Sequence, residues 1–263
     1  MSFRLIAPFA LFISVVLLLL LTLYFRRSRR NASHLRERLA DTSLELERLQ
    51  RSFSRFAPEE VVDRIATSGM PSSGEQKEVT VLFSDLIGFT AMSGRLDPAL
   101  VVRILNGYFR RMSAAIREHR GHVSKFIGDG ILAFFGALEP NPWQSDDAVY
   151  AALAMRAELD KYNAELAAEG LPVLAHGIGL HRGIAVAGLM GSDDLMEFTV
   201  MGSNVNLASR VESLTRAHGV DILITQQVKE KLNPNVLLRG MPDVAIKGIA
   251  ETVITYAVEG HRP

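Results

Sequence analysis

At 263 residues the chain is long enough for one catalytic domain of ordinary size with accessory segments. Hydrophobic residues at 48% and charged residues at 22% support a packed core and exclude wholesale disorder. Lys plus Arg and Asp plus Glu balance at 29 each, which gives no argument for a nucleic-acid partner, and the absence of cysteine excludes disulfides, thiolate nucleophiles and zinc ribbons. The seven histidines show no HExxH or HxH spacing; His119 and His122 read as marking a helix end rather than a ligand pair.

Leu5 to Phe25 is almost wholly apolar. At 1.5 Å per residue it spans roughly 31 Å, enough to cross a hydrocarbon core. Arg4 stands alone before it, whereas Arg26, Arg27, Arg29 and Arg30 follow it. The positive-inside rule predicts an outside N-terminus and a cytoplasmic remainder, anchored by a single span in the inner cell membrane. A cleaved signal peptide fits less well, because the run is long and ends in arginines instead of a small-x-small site. Leu35, Leu39, Thr42, Leu46, Leu49, Phe53 and Phe56 then alternate spacings of four and three, the seam of a parallel coiled coil or of a lone amphipathic helix. Pro58 breaks that pattern, Glu59 to Ile65 reads as a short helix, and Thr67 to Gln76 is a Gly/Pro/Ser-rich linker. The expected organisation is an anchor over 1–26, cytoplasmic coiled-coil helices over 27–66, a linker over 67–77 and a catalytic domain over 78–263.

From Glu78 onward strands and helices alternate. Strands are predicted at Val79–Ser84, His122–Ile127, Ile131–Phe135, His176–Leu180, Ala185–Leu189, Glu197–Val200 and Asp221–Thr225. Helices are predicted at Pro98–His119, Asp146–Glu169, Asn204–His218 and Gln226–Leu232, with a closing hairpin. Long helices on a partly antiparallel sheet make the class α+β.

Two aspartates stand at strand ends beside glycine. Asp85 closes an apolar strand ahead of Leu86-Ile87-Gly88-Phe89-Thr90, and Asp129 lies at the tip of Gly128-Asp129-Gly130. Carboxylates suit Mg²⁺, which takes one or two of them together with substrate phosphates. Taken singly, Asp129 is equally a hairpin-turn residue and Asp85 a helix cap. Asn206 and Arg210, four apart, share a helix face that is either solvated or suited to a ribose oxygen and a developing phosphate charge.

Phe83 to Thr90, then Lys125 to Gly130, then Gly202 to Arg210 together resemble the class III adenylyl and guanylyl cyclases, in order and over nearly all of the region after Glu78. The resemblance implies a ferredoxin-like core that works as a homodimer with ATP in the cleft between subunits. It implies two divalent ions, Mg²⁺ or Mn²⁺, on Asp85, Asp129 and the Leu86 carbonyl. Amides of Gly88, Phe89 and Thr90 would meet the phosphates, Asn206 the ribose, Arg210 the transition-state charge and Lys247 the terminal phosphates. Lys125 stands where the family uses lysine for adenine and glutamate for guanine. Thr199 stands where adenylyl cyclases commonly carry aspartate, and its hydroxyl can accept from the 6-amino group. The expected activity is conversion of ATP to cyclic AMP and pyrophosphate; a guanylyl cyclase and a degenerate nucleotide-binding or dimerisation module are the alternatives.

Overall fold

The computed structural model describes residues 21, 38, 41–43, 74–192, 195–242 and 252–262. The chain divides into two units, Met1–Phe56 and Ala57–Pro263. In the first unit the described residues are helical, and the Thr42 hydroxyl donates to the Arg38 carbonyl at 2.6 Å, one turn back. The expected span over 5–25, the rest of the heptad seam and Lys247 lie outside the described residues. Among the described residues no helix is long and apolar enough to cross a membrane.

The second unit runs β1 (Glu75–Leu86), α1 (Phe89–Ser93), α2 (Pro98–Glu118), β2 (His122–Ile127), β3 (Gly130–Phe135), α3 (Gln144–Ala168), β4 (His176–Ser192), β5 (Leu195–Met201), α4 (Ser203–His218), β6 (Ile222–Thr225), α5 (Gln226–Lys229), β7 (Val236–Gly240) and β8 (Thr255–His261). Local chemistry explains several of these starts and stops. Asp97 caps α2 by accepting from the Ala99 amide at 2.9 Å, with Pro98 in the first turn. Gly219, left-handed at φ 63°, ends α4.

The described strands form one sheet in the order β2-β3-β1-β4-β6-β8-β7, with β5 paired to β4 off that path. The β2-β3-β1-β4 part is antiparallel throughout, with α2 and α3 as its crossovers. That is the βαββαβ order of a ferredoxin-like core, as the resemblance implied. β4 and β6 pair in parallel, so the sheet is mixed. Strand alternation divides the burial. Leu82, Ile131, Ala133, Phe135 and Leu180 pack with α2 and α3 on one face. Val79, Val81, Leu132, Phe134 and Ala185 pack with Val205 and Ala208 of α4 on the other. Asp85 continues the second set, which aims it towards α4.

Two expectations change. β1 begins at Glu75, inside the segment assigned to the linker. The strands expected at His176–Leu180 and Ala185–Leu189 are one continuous strand of 17 residues. His181 and Arg182 lie between the two expected strands, and partners from other elements let them be buried within β4. His181 bonds Thr225 at 2.9 Å and Asn204 at 3.1 Å, and Arg182 bonds Ser145 at 3.0 Å and Glu78 at 2.8 Å.

Candidate active site

The register of β1 on β3 brings the two aspartates together. Ser84 pairs with Ile131, so Asp85 falls opposite Gly130 and Leu86 opposite Asp129. A methyl group at Gly130 would lie 3.1 Å from the Ser84 carbonyl oxygen and 3.3 Å from Asp85 Oδ1, so any larger residue there would crowd the carboxylate. Burial raises the Asp129 carboxyl above its ordinary value and the Asp85 charge raises it further, while the backbone amides of Asp129 and Leu86 and the Arg216 guanidinium pull it down.

A third carboxylate joins them from α4. Glu212 is buried, and burial pushes it up to about 7, with Arg216 opposing and Asp85 and Asp129 adding to the rise. Its Oε1 has no hydrogen-bond partner, although Arg216 Nη2 is 3.5 Å away. Glu212 fits there because β4 is bare beneath it: a Cβ on Gly179 would lie 2.1 Å from the Glu212 amide nitrogen. Arg216 Nη2 donates to Asp85 Oδ2 at 2.5 Å, so one guanidinium answers a cluster of three carboxylates.

The arrangement suits a hard divalent cation. Asp85, Asp129 and the Leu86 carbonyl are oxygen donors, and Arg216 already places a positive charge at Asp85. Among the described residues no group of three or more His, Cys, Asp and Glu side chains is placed to hold a metal unaided.

Asn206 and Arg210 also lie on α4, but on another side of it. At 100° per residue the Asn206/Arg210 stripe is about 120° round the helix from Glu212/Arg216. The helix therefore turns Glu212 and Arg216 to Asp85 and points Asn206 and Arg210 elsewhere. Asn206 is exposed and Arg210 half-buried.

The proposed base-reading residues meet where β2 runs beside β5. Lys125 Nζ pairs with Glu197 Oε1, and Ser124 Oγ donates to Thr199 Oγ1 at 2.9 Å. Gly88 is left-handed at φ 73° and precedes the short α1, whose start carries no side-chain cap. Phe89 is buried and Thr90 exposed. The structure thus joins Asp85, Leu86 and Asp129 in one place, Lys125 and Thr199 in a second, and Asn206 with Arg210 in a third.

Reading the sequence missed Glu212, Arg216, Glu197 and Ser124. Glu212 and Arg216 are one helical turn apart and were detectable as a charged pair. Nothing local signalled that Arg216 reaches back across 131 positions to Asp85.

Comparisons with known proteins give a consistent picture. The family described as "Adenylate and Guanylate cyclase catalytic domain" matches residues 72–260. An adenylate cyclase of Anabaena cylindrica is 37% identical over 219 residues, covering 79% of this chain and 43% of that protein. The chain therefore spans less than half the length of that curated relative. Among solved structures, the guanylyl cyclase Cya2 superposes with TM-score 0.69 at 35% identity, over 72% of this chain and 95% of that one. The adenylyl cyclase CyaB from P. aeruginosa superposes with TM-score 0.68 at 31% identity, over 72% and 96%.

Proposed function

The chain belongs to the adenylate and guanylate cyclase family, and from that premise we propose that it is an adenylate cyclase working as a homodimer. The observation that carries the reading is the convergence of Asp85 and Asp129 at paired strand ends, facing a helix that directs Asn206 and Arg210 away from them. In the reaction the ribose 3′-oxygen forms a bond to the α-phosphorus, the 3′ proton departs and pyrophosphate leaves. Asp85, Asp129 and the Leu86 carbonyl would hold two divalent ions, which would acidify the 3′-hydroxyl and stabilise charge at the leaving group. Lys125 donates to N1 of adenine, Asn206 orients the ribose and Arg210 meets charge developing on the α-phosphate. Amides of Gly88, Phe89 and Thr90 hold the phosphates, joined by Lys247.

The placement of α4 supports dimerisation. Its two stripes face different ways, which fits a site that Asp85 and Asp129 begin in one chain and Asn206 and Arg210 complete from its partner. Ile184 and Met201 are more than half exposed on β4 and β5, and Val186 pairs with Met201 beside them. That apolar strip is what a second copy would cover.

Residues 5–25 are proposed as a single membrane span and the heptad seam as a coil setting the register of two cytoplasmic catalytic domains. Extraction of the chain from membranes by alkaline carbonate would overturn the span. Inserting one residue near Leu46 turns everything downstream by about 100° and should cut activity more than a seven-residue insertion; equal activities would make the segment a passive tether.

The deciding assay supplies the purified full chain with ATP and GTP, each with Mg²⁺ or Mn²⁺. Cyclic AMP is expected as the main product. A preference for GTP would overturn the reading in favour of a guanylate cyclase, and no turnover of either in favour of a nucleotide-binding module.

A further inference from the structure

The end of β1 remote from Asp85 borders a cavity. β3 stops at Phe135, opposite Thr80, so the β1 residues before Thr80 have no β3 partner. Gln144, at the start of α3, covers part of that bare edge by donating from Nε2 to the Glu78 carbonyl at 3.1 Å. Between the edge and the loop leading into α3 lies a cavity of about 360 Å³. Its walls include Lys77, Glu78, Gln144 and Arg182, with Pro140 and Pro142 as the apolar part. Asp85 lies seven residues further along β1 than Glu78, about 23 Å, so the cavity is separate from the aspartate corner.

The polar groups of this cavity are only half used. Gln144 is 4% exposed and Arg182 is 8% exposed, yet Gln144 Oε1 and Arg182 Nε have no hydrogen-bond partner among the described residues. Buried polar atoms are otherwise almost always bonded, so this acceptor and this donor are left for whatever fills the cavity. The charged groups also have capacity to spare. Arg182 Nη1 donates to Ser145 Oγ at 3.0 Å and Nη2 to Glu78 Oε2 at 2.8 Å. The second bond holds the Glu78 carboxyl below its ordinary value, against the effect of burial, and leaves Oε1 as a further acceptor. Lys77 Nζ donates to the Ala137 carbonyl at 2.8 Å and lies 3.2 Å from Glu75, which leaves its ammonium a third N–H.

We propose that this cavity is a binding site for a zwitterion of amino-acid size, its carboxylate held by Lys77 and Arg182 and its ammonium by Glu78 and Gln144. The polarity of each contact follows from the side chains. An ammonium and a guanidinium only donate, whereas a carboxylate and an amide oxygen accept. Neighbours on a strand point to opposite faces, so Lys77 and Glu78 grip from the two sides of the bare edge. A simple anion would leave the Glu78 and Gln144 oxygens unmatched, and a simple cation would do the same to Lys77 and Arg182. The volume falls at the small end of sites for small molecules, about 300–1,000 Å³, and the two prolines offer a wall to an apolar side chain.

Trp143 is the sole tryptophan of the chain and sits between Pro142 and Gln144 of the cavity wall, so its fluorescence reports on this place. The purified full chain is titrated with each of the twenty L-amino acids, and with acetate and methylammonium as carriers of one charge alone. Each titration is run with and without α,β-methylene ATP, and the melting temperature is recorded alongside. At least one amino acid is expected to change the Trp143 signal saturably and raise the melting temperature, with a midpoint that the ATP analogue does not move. Acetate and methylammonium should do neither. Lys77→Gln and Glu78→Gln, each changing a partly exposed side chain, should weaken that amino acid about tenfold or more, while Lys77→Arg, which keeps the cation, should retain it. No fluorescence change and no rise in melting temperature with any amino acid would overturn the proposal. Equal binding of acetate, a midpoint shifted by the ATP analogue, or undiminished binding in both glutamine variants would overturn it as well.

Discussion

The corner proposed to hold metal and the corner proposed to read the base pose opposite electrostatic problems. Around Asp85 and Asp129 three carboxylates gather in a partly desolvated corner with one guanidinium, so Asp129 and Glu212 are both pushed above their ordinary values. Around Lys125 a single cation meets a single anion at the edge of solvent, with the Ser124–Thr199 bond beneath. The first corner carries unanswered negative charge and favours any cation that enters. The second is already neutral, so its value lies in the order of donor and acceptor. On the adenylate cyclase reading, the charge excess would serve a metal and the balanced pair a purine.

The largest expected effect breaks the metal half outright. Asp85→Ala or Asp129→Ala should lower kcat by about 10³-fold or more with the fold intact, since both lie at strand ends outside the core. Retention of a tenth of wild-type cyclic AMP synthesis by either variant, with an unchanged circular dichroism spectrum, would remove that residue from the metal site.

Next in size is complementation between the stripes of α4. Asp85→Ala and Arg210→Ala proteins should each be nearly inactive alone. Mixed one to one with free subunit exchange, they should recover about a quarter of wild-type activity, because half the dimers then hold one intact site. No recovery, with exchange shown by fluorescence transfer between labelled subunits, would mean that each chain builds a complete site.

A smaller change sharpens the contrast at Arg216. Its guanidinium holds the Asp85 oxygen that a divalent ion would take. Arg216→Ala should therefore bind Mn²⁺ about tenfold more tightly than wild type, as read from the free-ion electron paramagnetic resonance signal. Unchanged or weaker binding would show that Arg216 and the metal do not compete.

The smallest expected effect concerns pH and stability. Burial lifts Glu212 from an ordinary value of 4.5 to about 7. In that window the folded state keeps a proton that the unfolded state has released. The contribution of Glu212 to stability is therefore greatest below 4.5, falls as pH rises towards 7 and stays low above it. Metal-free Glu212→Gln lacks this penalty and should melt a few degrees higher than wild type at pH 8, the difference closing towards pH 4.5. A constant difference across that range would mean that Glu212 does not titrate there.

How much of the site was legible depended on distance along the chain. Asp85 and Asp129 stood out because each ends an apolar strand beside glycine, and Asn206 with Arg210 because helical spacing is local. The continuity of β4 was not legible, because its buried His181 and Arg182 bond Thr225, Asn204, Ser145 and Glu78 from elsewhere in the chain. The Ser124 bulge was invisible for a related reason: a register slip belongs to a pair of strands and to neither one alone.

The amino-acid sequence by itself determined the α+β class, the order of the main strands and helices, and the candidate residues proposed for metal, ribose and phosphate. Period, turn chemistry and motif order are properties of neighbours in the chain, and neighbours can be read directly. Tertiary structure alone decided that Glu212 and Arg216 stand beside Asp85, that Thr199 is covered while Glu197 is open, and that α4 faces two ways. Each depends on which distant atoms exclude water from a group or neutralise its charge. That environment exists only once the sheet has closed.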